Sequence, residues 1–336
     1  MILRKLPWIT GASLVLAAVF SMVILPVASA ATTPTNNGAN GLRVSPVRAD
    51  ATINPGQSQS INISVTNITA SATTLQAVVN DFTARKDESG QPAIIFDANK
   101  FADSHSLKRF VQPIPNFSLE PGQQKSITVT VNVPANAAGG GYYAAVRFAP
   151  AGSLETGPNQ NLTLAGSVGT LLLVKVPGDI KEQLSITGFD VRKYDQTSTF
   201  FTSHKNIDVV VRFQNGGNIQ EQPFGKILLK NRSGKILATY EINNVEPRGN
   251  VLPDSIRKFA VPLDKVGSFG EFKLEGSFGY GSNGQLLSAS TTFYVVPLIA
   301  IYIFIAIVLL IAFMIFGFPR LLAAYKRRII SQARRR

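Results

Sequence analysis

The longest uncharged segment of the sequence places the strongest limit on how the chain can fold. Val295–Phe318 holds 24 residues without a charge. As a helix it would span about 36 Å, enough to cross a hydrocarbon core of about 30 Å. Basic residues follow directly, and basic flanks favour the cytoplasmic side of a membrane. The segment therefore predicts one transmembrane helix at 295–318, with the preceding chain outside the cytoplasm.

The basic residues after this segment form a candidate membrane-proximal tail, 319–336. They are Arg320, Lys326, Arg327, Arg328, Arg334, Arg335 and Arg336. Basic clusters beside a spanning helix fix its orientation and attract anionic lipid. A nuclear-localisation or RNA-binding patch is the alternative for RRIISQARRR, and its position after a membrane helix disfavours it. Apolar residues also recur in the tail at helical spacing, which predicts a helix along the inner leaflet.

The net charge of +13 does not indicate a nucleic-acid partner, because the excess lies at the two ends of the chain. Without Arg4, Lys5 and the seven tail residues, 24 basic residues stand against 20 acidic ones. A DNA-binding protein carries its basic residues as a patch on the fold. We therefore expect no nucleic-acid partner.

Residues 1–30 have the composition of a signal peptide. Arg4 and Lys5 precede an apolar stretch that ends in Ala28-Ser29-Ala30, a small-residue cleavage pattern. Cleavage after Ala30 and retention as an uncleaved anchor both stay open. Residues 31–41 are small and polar, which predicts a flexible lead. The expected location is the cell membrane, with one pass, extracytoplasmic domains and a cytoplasmic tail.

Short runs that alternate apolar and polar residues fill the chain between 42 and 294, and Pro, Gly and Asn clusters separate them. This pattern is typical of β-sandwiches. Pro, Gly and charged residues interrupt it at 176–183, which predicts a domain boundary. We predict an all-β protein with two immunoglobulin-like β-sandwich domains, 42–176 and 184–294. A linker at 177–183 joins them, and a single transmembrane α-helix follows.

One phrase occurs twice within the first predicted sandwich. PGQSQSINISV begins at Pro55 and PGQQKSITVTV begins at Pro121. Pro-Gly predicts a tight turn, and the alternation after it predicts a strand with one buried face. We expect the two strands to be neighbours in one sheet. Between them, ADSHSLKRFV predicts a short helix with Asp103 or Ser104 as its N-cap.

The sequence contains no motif that indicates catalysis. Cys is absent and only two His occur, which excludes disulfides and Cys-ligated metals. GYGSNG at 279–284 fits a dinucleotide-binding pattern by letter, but a strand-like run follows it, so we interpret it as a hairpin turn. Asp87 and Glu88 are interpreted as solvated turn residues. We expect no enzyme activity, cofactor or metal, and we assign no catalytic or ligand-binding residue.

Two segments, together with the domain order, carry a family resemblance. Residues 104–148, SHSLKRFVQPIPNFSLEPGQQKSITVTVNVPANAAGGGYYAAVRF, combine a short helix, a proline turn, a strand and a glycine-led strand. Residues 251–263, VLPDSIRKFAVPL, precede a glycine and a strand. Over 42–336 the arrangement resembles the WxL-interacting proteins of Gram-positive bacterial surfaces. The resemblance implies a first domain that binds peptidoglycan and a second that engages WxL partners or host proteins.

The expected function is therefore a membrane-anchored bacterial cell-surface protein for binding, adhesion or scaffolding. It would engage cell-wall polymer or another surface protein through its sandwich domains. The alternative is a membrane-tethered, chaperone-like assembly factor that lends a strand edge to secreted subunits. That alternative predicts an exposed edge strand in one domain. The expected partners are the lipid bilayer and either peptidoglycan or another cell-surface protein.

Overall fold

The structure is a computed structural model that describes residues 41–97, 99–151 and 167–333. The predicted signal peptide and all but the last residue of the flexible lead lie outside the described residues. The described residues belong to one compact unit, 40–336. They confirm the predicted fold class, since immunoglobulin-like β-sandwiches precede a C-terminal helical segment.

The strands of the first sandwich lie in two sheets. In chain order they are β1 (Leu42–Ser45), β2 (Arg48–Thr52), β3 (Ser58–Asn67), β4 (Thr73–Ala84), β5 (Pro92–Ile94), β6 (Phe117–Leu119), β7 (Gln124–Asn132), β8 (Gly140–Pro150) and β9 (Val168–Val176). One sheet has the order β1-β3-β7, and the other has the order β2-β9-β8-β4-β5 with β6 beside β4. Their inner faces enclose a core that includes Ile63, Leu75, Phe148 and Leu172.

The repeated phrase forms two neighbouring strands, which confirms the prediction. β3 and β7 pair in antiparallel fashion, with Ile63 opposite Ile127 and Ile61 opposite Val129. Both turns before these strands need a glycine, because Gly56 and Gly122 have φ angles of +79° and +73°. The repetition thus places two copies of one turn-and-strand unit side by side.

The predicted helix in ADSHSLKRFV is wrong in extent and in its cap. Only a 3₁₀ turn forms, at Lys108–Phe110, and Leu107 occupies its N-cap position. The buried Asp81 carboxylate accepts the N–H groups of Ala102 at 3.0 Å and Lys108 at 2.9 Å. These bonds hold the segment across the sheet in place of a helix.

The second sandwich follows the same plan. Its strands are β10 (Leu184–Lys193), β11 (Gln196–Thr197), β12 (Phe200–Phe201), β13 (Asp208–Asn215), β14 (Phe224–Asn231), β15 (Ile236–Ile242), β16 (Ser255–Pro262), β17 (Gly270–Tyr280) and β18 (Gln285–Val295). The sheet orders are β11-β10-β13-β16 and β12-β18-β17-β14-β15. Its core is rich in phenylalanine and includes Phe213, Phe278 and Phe293.

Two glycine-containing turns in this region form hairpins. NRSGK connects β14 to β15, and its Gly234 has a φ of +81°. The dinucleotide-like GYGSNG run connects β17 to β18, where Tyr280 pairs with Gln285. Since a strand and not a helix follows GYGSNG, its interpretation as a hairpin turn is confirmed.

A helical segment follows β18 after two residues. It comprises α1 (Leu298–Ala312), a π-helical turn (Phe313–Gly317) and α2 (Phe318–Ala333). The predicted helix start at 295 is wrong, because Val295 pairs with Gly270 as the last residue of β18 and Pro297 caps the helix. Leu298–Arg327 is long and apolar enough to cross a membrane.

Candidate functional site

The surface where the two sandwiches meet, which we call the junction, begins at the tip of the β4–β5 hairpin. The Arg212 Nε–H donates to Glu88 Oε2 at 2.8 Å, and the Lys258 N–H donates to the Glu88 carbonyl at 2.9 Å. Glu88 therefore bridges to β13 and β16, which corrects its interpretation as a solvated residue. Asp87 stays exposed, and its carboxylate accepts the Ser89 N–H.

Asn218, in the β13–β14 loop, connects three segments at the junction. Its side chain donates to the Gly139 carbonyl at 3.0 Å and to the Asp179 carbonyl at 2.8 Å. Its Oδ1 accepts the Lys181 N–H at 2.7 Å, and its own carbonyl accepts the Gly141 N–H at 2.8 Å. One amide thereby ties the linker and the first sandwich to the second.

A small apolar cluster separate from both cores lies behind these polar contacts. Phe82, Tyr143, Ala145 and Leu173 are buried in it, and Leu252 of the second sandwich packs against them. The Tyr143 hydroxyl donates to Gln220 Oε1 at 2.8 Å, and burial raises the pKa of this hydroxyl. Apolar burial and hydrogen bonds together fix the orientation of the two sandwiches.

Two carboxylates lie beside the linker at the edge of the junction. Glu221 is 3% exposed; its Oε2 accepts the Gly281 N–H at 3.1 Å, and its Oε1 has no hydrogen-bond partner among the described residues. Glu182 Oε2 accepts the Ser282 N–H at 2.8 Å. Burial first, and then the Glu182 charge, raise the pKa of Glu221 to about 7. A buried, half-satisfied carboxyl group of this kind favours its neutral form.

The second sandwich also presents an open sheet edge. β15 pairs with β14 on one side, and within the described chain no strand pairs with its other side. Ile236 and Leu237 on this strand remain 51% and 37% exposed. An edge strand offers free backbone donors and acceptors to an added strand. β15 matches the exposed edge that the assembly-factor hypothesis predicts.

The structure shows part of the predicted basic tail. Arg320, Lys326 and Arg327 lie exposed on α2, and Arg320 donates to the Phe316 carbonyl at 2.8 Å. The side chain of Arg328 and the whole of Arg334, Arg335 and Arg336 lie outside what the structure describes. α2 continues the spanning helix through the tail to Ala333.

The described part of the chain contains no candidate metal site. Within 41–97, 99–151 and 167–333 no group of three or more His, Asp or Glu residues could hold a metal ion. His105 Nδ1 lies 2.6 Å from the Gly141 carbonyl, so backbone occupies that ring nitrogen. Tyr142 packs on Phe110 with ring centroids 5.0 Å apart. These groups stabilise the first sandwich.

Sequence reasoning missed the junction. Its contacts come from a hairpin tip, a linker and the loop 215–222, NGGNIQEQ, which are far apart in sequence. One sequence signal could have drawn attention to this loop. Asn and Gln are frequent in it, and apolar and polar residues do not alternate as they would in a strand. Such a run indicates a loop whose amides bond backbone groups.

No protein-family model matches the sequence, and no curated protein matches it. Solved structures show similarity at the level of β-sandwich architecture. The class 5 fimbrial chaperone CfaA is 13% identical, with 76% of this chain and 99% of that chain covered and a TM-score of 0.37. The CsuC–CsuE chaperone–adhesin pre-assembly complex of Acinetobacter baumannii is 13% identical, with 74% and 97% covered and a TM-score of 0.35. A protein from Porphyromonas gingivalis is 12% identical, with 76% and 100% covered and a TM-score of 0.28.

Proposed function

We propose that the protein is a membrane-anchored, non-catalytic binding protein whose two sandwiches act outside the cytoplasm as one unit. The observation that carries the proposal is the direct passage from β18, ending at Val295, to the apolar helix beginning at Leu298. Two residues leave no room for a flexible stalk. A membrane-spanning helix at this point would hold the second sandwich against the bilayer.

The orientation rests on the charges that flank the helix. Arg320, Lys326 and Arg327 follow the apolar stretch, and the sequence continues with more basic residues. The positive-inside rule assigns this end to the cytoplasm. The sandwiches then lie on the opposite side, which agrees with the signal-like composition of residues 1–30.

Cysteine labelling tests this topology without background, because the chain has no Cys. Ser58→Cys places a thiol on an exposed strand position of the first sandwich, and Ser331→Cys places one in the tail. On intact cells a membrane-impermeant maleimide should label the Ser58→Cys variant only. After permeabilisation both variants should react. Labelling of the Ser331→Cys variant on intact cells would overturn the proposed orientation.

For the partner, we infer a polypeptide that adds a strand to the open edge of β15. The support is the combination of a free edge with exposed Ile236 and Leu237. Backbone pairing at an edge gives affinity, and alternate side chains give selectivity. Both a mature surface protein and a newly secreted subunit fit this chemistry. For a peptidoglycan partner, the support is the sequence resemblance to the WxL-interacting proteins.

Co-sedimentation with isolated cell walls separates the two partner classes. The full chain in detergent is mixed with walls before and after protease treatment of the walls. Binding that protease abolishes indicates a polypeptide partner, and Leu237→Lys should then weaken it by charging the edge. Leu286→Lys, an exposed site on β18, is the matched control. Binding that survives protease and Leu237→Lys would replace strand addition with recognition of wall polymer.

A further inference from the structure

The end of the second sandwich nearest the helix carries a group of exposed aromatic side chains, which we call the aromatic end. It consists of Tyr194, Phe200, Phe269 and Tyr294, whose exposed fractions are 73%, 52%, 67% and 41%. The remaining exposed aromatic side chain in the described second sandwich is Phe224, at the opposite end. The Arg248 guanidinium covers Phe224 at 4.0 Å from the ring centroid. At the aromatic end the Lys193 ammonium lies 5.7 Å from the Tyr194 ring centroid. Exposed rings without a cation over them, Phe200, Phe269 and Tyr294, are thus concentrated where the helix leaves the domain.

Strand register brings three of these residues together. Phe200 on β12 lies directly opposite Tyr294 on β18, and the Tyr294 N–H donates to the Thr199 carbonyl at 2.8 Å. Phe269 directly precedes Gly270, which pairs with Val295. The three rings therefore come from the last pairs of the sheet before the helix.

Tyr194 belongs to the same end through the second sheet. It follows β10, whose Arg192 pairs with Asp208, the first residue of β13. The Asn206 side-chain amide donates to the Tyr194 hydroxyl at 2.9 Å. Because Asn206 lies in the loop before β13, this bond holds the Tyr194 ring against that loop. β13 runs from this end towards the junction, so Tyr194 lies on the helix side of the sandwich.

A recess of about 520 Å³ lies beside Phe269 and Tyr294. Arg232, Ser233, Phe269, Glu271, Tyr294 and Val296 are among the residues that line it. Arg232 and Ser233 come from the β14–β15 turn, opposite the start of β17. The recess therefore combines a guanidinium, a carboxylate, a hydroxyl and aromatic rings. The guanidinium and the rings suit a lipid headgroup and the first part of an acyl chain.

The length of the helix limits how far this end can lie from a membrane. From Leu298 to Phe318 the chain is uncharged, and 21 helical residues span about 32 Å, close to a hydrocarbon thickness of about 30 Å. The hydrocarbon boundary then falls near Leu298. Tyr294 is four residues away, at most about 14 Å even in an extended chain. The headgroup layer beyond the boundary is about 5 to 8 Å thick.

The charges at this end nearly balance. The basic residues of the loops and adjoining strand ends are Lys193, Lys205, Arg232, Lys235 and Lys265, and the acidic ones are Asp195, Asp208, Asp264 and Glu271. A surface of this kind has no strong electrostatic preference for anionic lipid. Burial of aromatic rings, and not lipid charge, would then decide its contact with a membrane.

We propose that the aromatic end lies in the headgroup layer of the leaflet that the helix enters at Leu298, with its rings at the depth typical of interfacial tyrosine and tryptophan. The occupant of this surface is the phospholipid bilayer itself. The inference rests on the proposed membrane anchoring. It adds a second attachment that limits how far the sandwiches can tilt away from the membrane.

Tryptophan reporters in the full chain test the contact. Trp8 is the single tryptophan in the sequence, so Trp8→Phe gives a chain without tryptophan fluorescence. Phe269→Trp reports on the aromatic end, Phe224→Trp on the opposite end and Phe304→Trp on the spanning helix. Each variant is reconstituted in phosphatidylcholine vesicles whose acyl chains are brominated either near the headgroups or near the chain ends. Bromine quenches a nearby indole.

We expect loss of fluorescence from the Phe269→Trp variant with shallow bromine more than with deep bromine, and no loss from the Phe224→Trp variant. A quenched Phe304→Trp variant beside an unquenched Phe269→Trp variant would overturn this inference and leave the anchoring intact. An unquenched Phe304→Trp variant would overturn the anchoring as well. Equal quenching of the Phe269→Trp and Phe224→Trp variants would also overturn the inference that the aromatic end contacts the membrane. Tyr294→Trp repeats the test if Phe269→Trp disturbs folding.

Discussion

Asn67 and Asn215 make the same set of hydrogen bonds in the two sandwiches. Each is fully buried at the end of an inner strand of a sheet, β3 or β13. Each accepts the N–H of the residue two positions later, and each donates to the carbonyl four positions later. Each also donates to a distant carbonyl, that of Leu119 or Val251. The loop that follows each amide leads to the other sheet, into β4 or β14, and the distant carbonyl comes shortly before the neighbouring strand, β7 or β16.

We predict that Asn67→Ala and Asn215→Ala each lower the free energy of unfolding by about 2 to 3 kcal/mol, because several buried partners lose their hydrogen bonds together. Hydrogen–deuterium exchange would locate the effect. Exchange should rise in β3 and β7 for the Asn67→Ala variant, and in β13 and β16 for the Asn215→Ala variant. Asn116→Ala, at an exposed position, is the control. A change below about 0.5 kcal/mol at both corners would contradict the prediction.

Loss of the Asn218 side chain should loosen the junction more than either sandwich. Asn218→Ala removes the bond donated to Gly139 of the first sandwich, the bond donated to Asp179 of the linker and the bond accepted from Lys181 of the linker. We expect the chain to lose about 2 kcal/mol of stability and to become sensitive to protease at 177–183. Limited proteolysis measures the second effect directly. Asn283→Ala, on an exposed turn, should leave the cleavage rate unchanged; equal cleavage of both variants would refute the role of Asn218.

The pKa of Glu221 should make stability depend on pH. Burial raises this pKa from 4.5 to about 7, so the folded state prefers the protonated acid. Its stabilising effect is complete below about pH 4.5 and is lost as the pH rises to about 7. Glu221→Gln keeps a neutral group and should remove this dependence. Between pH 4.5 and pH 8, the stability of the Glu221→Gln variant should rise by about 3 kcal/mol relative to that of the original chain.

Denaturant unfolding of both proteins at pH 4.5, 6 and 8 measures that difference. Other groups titrate in the same range, so the quantity to compare is the change with pH between the two proteins. If the free energy of unfolding changed with pH in the same way for both proteins, Glu221 would be charged in the folded state. Glu182→Gln should give a smaller change of the same sign, because the Glu182 charge is the second cause of the raised pKa.

The Glu88–Arg212 ion pair should couple the two sandwiches energetically. Its side chains are partly buried, at 30% and 15% exposure. A double-mutant cycle with Glu88→Ala and Arg212→Ala should give a coupling of about 1 kcal/mol. The exposed pair Asp264–Lys265, at 3.5 Å, is the control, and its coupling should be near zero. Equal coupling in both cycles would mean that Glu88 adds nothing beyond a surface contact.

Local patterns in the sequence predicted most of the architecture. The PGQ phrases predicted neighbouring strands, the GYGSNG run at 279–284 predicted a hairpin, and the alternation predicted the sandwich type. Turn chemistry and side-chain alternation are properties of a few consecutive residues, so the sequence displays them directly. The helix prediction at 102–111 failed because the Asp81 carboxylate, far away in sequence, binds that segment.

The sequence by itself determined the strands, the turns and the apolar helix, since each depends on the order of adjacent residues. Only the tertiary structure decided that Glu88 would reach Arg212, that Asn67 and Asn215 would close equivalent corners, and that four exposed aromatic side chains would collect beside the helix. Those relationships join residues separated by tens to more than a hundred positions. Folding sets such distances through strand order and register, which local sequence patterns do not contain.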